Sequence, residues 1–195
     1  MLYGQYKDVR DAAWKILIDC NITALPVSVN LIANHYGIKL LKNDLVPNEY
    51  KLNEHELGCT ILTNNKWYII FDNKLPDTTN RFTIAHELGH IFLGHLLEDK
   101  QDQNIFYRTF KKRNIEEQSA DMFAVRLLAP ACVLWGLNLH TPEEIQKICN
   151  ISWSAAVNRA KRMNVLYKRD LFLISPLERQ VFEQFHNFIE NYKKT

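Results

Sequence analysis

The segment His86-Glu87-Leu88-Gly89-His90 brings together three side chains that can do metal chemistry. On a helix, positions four apart share a face, so His86 and His90 can aim two imidazoles at one divalent ion. Glu87 stands beside the first of them and can serve as general base toward a water at that ion. Two imidazoles and a carboxylate in an apolar helix are costly to bury without a partner, and a metal supplies one.

A catalytic zinc takes three protein ligands and keeps its fourth position for water, so a third ligand is needed. His95 lies five residues beyond His90 and would point to a different side if the helix ran that far. The better candidate is Glu117, on the following helix. Asp121, four residues on, shares its face and can accept a ring N–H from a ligand histidine, with His86 the expected donor. Glu116 is the rival ligand, about 100° around the helix from Glu117 and without a carboxylate four residues later. A near copy of the motif, His55-Glu56-Leu57-Gly58-Cys59, sits where the chain enters a strand. Extended backbone would part its ends by about 13 Å, too far for one ion.

The elements around these residues are legible from periodicity. Apolar positions predict helices over 8–19, over a short segment that Ser28 caps and Gly37 ends, and over 81–97, 115–129, 141–150, 153–163 and 175–192. Residues 38–41, 59–63 and 66–71 read as strands, and Asn64-Asn65 between the last two predicts a tight antiparallel hairpin. Residues 72–80 read as a turn-rich loop and 98–114 as a polar segment. The expected class is α+β, with helices around a small antiparallel sheet. WYIIF (67–71) or CTILT (59–63) could offer an edge to an extended peptide.

The chain has 195 residues, 47% hydrophobic and 24% charged, with a net charge of +2. Those values exclude a disordered or collagen-like chain and give no bulk electrostatic grip on nucleic acid or an anionic membrane. No run of about 18 apolar residues and no signal peptide is apparent, so a cytoplasmic protein is expected. Cys20, Cys59, Cys132 and Cys149 form no C-x-x-C pair and read as small buried hydrophobes.

RFTIAHELGH (81–90), followed by E-x-x-A-D-x-F-A (117–124) and LLAP (127–130), resembles the ImmA/IrrE family of zinc-dependent peptidases. The likeness runs over most of residues 1–165. It implies a gluzincin-like fold in which an HExxH helix precedes a Glu-bearing helix. It also implies His86, His90 and Glu117 as ligands of one zinc ion and Glu87 as catalytic base. Family members often carry Asn where this chain has Asp121, which brings the chain closer to a thermolysin-like aspartate behind the ligands. The resemblance further implies an endopeptidase in short form, acting on a helix-turn-helix repressor encoded beside it in a mobile element or stress response. Direct contact with nucleic acid or membrane is not expected.

On this reading residues 1–170 form the peptidase domain. Residues 171–195 form an amphipathic helix that packs on it or makes an interface, in a monomer or a dimer. Tyr107, Arg108 and His140 are candidates for the donor that an oxyanion needs. Two other readings compete. Residues 141–163 have the length of a helix-turn-helix, with Arg159, Lys161 and Arg162 on its second helix, which would suit a DNA-binding regulator. A metal-binding interaction module without catalysis is the other.

Overall fold

A computed structural model describes residues 3–95 and 115–194. Helices α1 (Tyr3–Asp19) and α2 (Val29–His35) precede strands β1 (Lys39–Lys42), β2 (Gly58–Thr63) and β3 (Lys66–Phe71), and helix α3 (Asp77–Phe92) follows. Beyond residue 114 come α4 (Ile115–Leu128), α5 (Ala131–Gly136), α6 (Pro142–Cys149), α7 (Trp153–Arg169), α8 (Pro176–Gln184) and α9 (His186–Lys193). The class is α+β. The described chain forms two compact units, one holding Val29–Ala124 and the chain up to Val9, the other Arg10–Ser28 and the chain from Val125 on.

In the first unit the predicted hairpin is present. Asn64 and Asn65 have φ of 48° and 56°, the left-handed pair that a two-residue type I′ turn requires. The sheet differs from expectation, because it is mixed. Its order is β1-β3-β2, with β3 antiparallel to β2 but parallel to β1, from Lys39 opposite Tyr68 to Lys42 opposite Phe71. Residues 43–65 separate those two strands, enough chain for the crossover that a parallel pair needs. Adjacency in sequence says nothing of that pairing. Among the described residues WYIIF is thus central and paired on both sides, and CTILT lies at a sheet edge.

One face of the sheet packs Cys59, Ile61 and Ile70 on Val46, with Leu41, Tyr50, Leu52 and Tyr68 against them. Residues alternate across a strand, so Thr60 belongs to the other face, where it meets α3. Helix α3 begins earlier than expected. Pro76 presets its entry and Asp77 lies in its first turn, where a carboxylate suits the positive end of the helix dipole. It also ends earlier, at Phe92, with Gly94 at φ 76°. Leu96, Leu97 and the polar segment 98–114 lie outside the described residues.

In the second unit the caps fall where the sequence puts them. Thr141 and Glu144 form a capping box, and the Ser152 and Ser175 hydroxyls accept from the amides of Ala155 and Glu178. The C-terminal stripe is carried by two helices, because Phe185, at φ −91° and ψ 2°, breaks the run. Phe182 and Ile189 close over Gly136 of α5, a helix that periodicity alone did not mark. Arg159 is a correction. It is buried, and its guanidinium donates to the Ala129 carbonyl, so it is not displayed to nucleic acid as the helix-turn-helix reading requires. Residues 115–136 are long and apolar enough to cross a membrane by length and composition alone. That stretch is mostly buried and is divided at Ala129-Pro130 between α4 and α5.

Candidate metal centre

Helix α3 carries His86 and His90 one turn apart, and their Nε2 atoms lie 3.0 Å from each other. Glu117 comes from α4, with Oε2 3.4 Å from His86 Nε2 and Oε1 3.3 Å from His90 Nε2. An ion bonded at 2.0–2.1 Å in a tetrahedron has ligand atoms about 3.3 Å apart. The three donors already stand at nearly that spacing, so the residues present fit a tetrahedral metal. Glu116 is not among the converging donors. The near-copy motif stays apart as expected. His55 is exposed at φ 69°, and Glu56 binds Asn53.

The close approach of α3 and α4 has a local cause. A β-carbon added at Gly89 would lie 3.1 Å from the Ala120 Cα and 3.2 Å from the Phe123 ring. Hydrogen at Gly89 and a single methyl at Ala120 therefore let Glu117 reach the histidines. Gly58 does the same for β2, because a β-carbon there would collide with Thr83 and lie 3.7 Å from Glu87 Cγ.

The two histidines experience opposite fields. His86 Nδ1–H donates to Asp121 Oδ1 at 2.8 Å, the contact expected of Asp121. Burial lowers the His86 pKa, but that hydrogen bond and the charges of Glu87, Asp121 and Glu117 outweigh it and leave it above the usual value. His90 is 1% exposed. Burial, with His86 and His95 beside it, pushes its pKa down to about 3, so it stands neutral with a lone pair to offer.

Two further residues join the site. The Thr60 hydroxyl donates to Glu87 Oε2 at 2.7 Å in a buried contact. Glu87 is 4% exposed, and a buried carboxylate needs such a donor. Strand alternation could have marked Thr60 as facing a helix, but not which one. His95 is the second, its Nδ1 3.1 Å from His90 Nδ1. Extrapolating α3 sent it elsewhere. The helix instead ends in a Schellman turn, with Gly94 N–H to Ile91 O and His95 N–H to His90 O. The Leu93-Gly94 stretch was the available signal. Of the oxyanion candidates, Tyr107 and Arg108 lie outside the described residues. His140 stacks on Tyr167 in the second unit, ring centroids 4.4 Å apart, with its Nε2 3.0 Å from Asn138 Oδ1.

No curated protein matches the chain. A family model described as the IrrE N-terminal-like domain (Peptidase_M78) matches residues 33–161, which include both helices that carry the donors. A match of that extent, running from α2 into α7 through the HExxH helix and the Glu117 helix, places this chain in the IrrE N-terminal-like family of peptidases.

Proposed function

We propose that this chain is a zinc-dependent endopeptidase of gluzincin type that cleaves a helix-turn-helix repressor in the cytoplasm. The observation that carries the reading is the convergence of His86, His90 and Glu117 at the edge lengths of a metal tetrahedron. Three protein donors suit a catalytic site, where the fourth position serves water or substrate, better than a structural site closed by four. Zinc suits a two-imidazole, one-carboxylate set.

When bound, the ion supplies Lewis acidity, acidifying water and polarising the scissile carbonyl. The residues do the rest. His86, His90 and Glu117 bind, and Asp121 orients His86 through Nδ1. Thr60 holds Glu87 Oε2, and the Glu87 carboxylate takes a proton from the attacking water and returns it to the leaving amine. Strand β2, at the sheet edge, suits an extended substrate added as a further strand.

The test takes the purified full chain, measures zinc by elemental analysis, and assays it on the repressor encoded beside its gene. Bound zinc near one per chain is expected, with cleavage that Glu87→Gln lowers by about 10²–10⁴-fold while zinc is retained. Bound zinc without Glu87-dependent cleavage would leave a metal-binding module and end the peptidase reading for this chain.

A further inference from the structure

The geometry points to His95 as a positioning residue that fixes the tautomer of His90 so that its Nε2 faces the metal as a lone pair. The inference rests on the reading of His86, His90 and Glu117 as metal ligands.

A neutral imidazole has one protonated nitrogen and one lone pair. His90 Nε2 is the atom beside His86 Nε2 and Glu117. If it is to coordinate, the proton must sit on Nδ1. That Nδ1 lies 3.1 Å from His95 Nδ1, with the rings edge to face and their centroids 5.0 Å apart. His90 Nδ1–H therefore donates, His95 Nδ1 accepts, and the His95 proton is placed on Nε2. The pair allows only one of its two facing nitrogens to carry hydrogen. Without the acceptor, a ring almost wholly buried has an unpaired N–H, and the other tautomer, with its proton aimed at the metal, becomes competitive.

His86 shows the same device with a carboxylate, since its Nδ1–H donates to Asp121. Each ligand histidine thus has its outer nitrogen held, one by Asp121 and one by His95. A chain of ordinary backbone bonds brings His95 there. Gly94 takes the left-handed conformation at φ 76°, and the Schellman bonds to Ile91 and His90 turn the chain back. The imidazole then covers the very residue whose carbonyl accepts the His95 amide.

The experiment measures zinc affinity of the full chain by competition with a chromophoric chelator, a readout that needs no substrate. His95→Leu should weaken zinc about 10–100-fold, the usual cost of removing a partner behind a ligand. His95→Gln, whose amide oxygen can accept from His90, should recover most of that loss. His90→Gln is the control for loss of a ligand. A second measurement needs no variant. In long-range proton–nitrogen NMR spectra of the zinc-loaded chain, His90 Nδ1 should appear protonated and His95 Nδ1 unprotonated. Zinc affinity of a folded His95→Leu within about threefold of the parent, or a proton found on His95 Nδ1, would overturn the inference. A parent chain that binds no zinc would overturn the ligand reading beneath it, and the two failures are thereby distinguished.

Discussion

His86 and His90 are the same residue type one helical turn apart, yet their neighbours drive them in opposite directions. Asp121, Glu87 and Glu117 keep a proton on His86 beyond the usual pH, while burial and two flanking imidazoles strip His90. As pH falls toward the raised His86 value, metal uptake must therefore compete with a proton on His86 and with none on His90. The sign follows. The His86 pKa lies above its ordinary value of 6.5. As pH falls through and below that raised value, zinc affinity should drop about tenfold per pH unit, one proton competing with one ion. His90, down at about 3, adds no second proton before strongly acid conditions. Chelator competition between pH 8 and about pH 5 checks this, and an affinity flat across that window would contradict the field described for His86. The motif made both histidines visible in the sequence. Their opposite protonation was not visible, because it depends on carboxylates and rings brought from other turns and another helix.

At the scale of elements, the site depends on how closely α3 and α4 approach. Gly89 sits against the Ala120 backbone, and neither a helix backbone nor a packed Phe123 ring yields easily. Gly89→Ala gains about 1 kcal/mol of helix propensity but incurs about 1–3 kcal/mol of overpacking. The expected outcome is a net loss of stability in denaturant melts together with weaker zinc binding, as Glu117 is pushed away from the histidines. A variant as stable as the parent with full zinc affinity would show that the helices can part without cost. The sequence contains both small residues, inside HELGH and E-x-x-A-D-x-F-A, and the pattern also marks the helices themselves. Their facing one another is a fact of packing. The same holds for Thr60, an ordinary β-branched strand residue until β2 is laid beside Glu87.

At the scale of the whole molecule, four thiols are sheltered. Cys20, Cys59, Cys132 and Cys149 are all buried, and none is in a disulfide. Burial, with the Asp19 charge, raises the Cys20 thiol to about 11, and burial with Glu178 nearby raises Cys132 to about 12. The thiolate is the reactive form, so a thiol reagent at pH 8 should titrate none of them rapidly in the native chain and all four after denaturation. A time course with a chromogenic disulfide checks it. Prompt native labelling of any one would mean that its unit opens readily.

The sequence by itself determined the chemistry available. The helical spacing of His86 and His90, the four-residue spacing of Glu117 and Asp121, and the Asn64-Asn65 turn are local patterns that the backbone must obey. Tertiary structure decided the rest. It made the sheet mixed, buried Arg159, brought Glu117 to the histidines, gave Glu87 its Thr60 donor, and turned His95 back onto His90. Each of these joins residues through contacts between elements or through the conformation of one chain-reversing glycine. Periodicity along a single element carries no information about either.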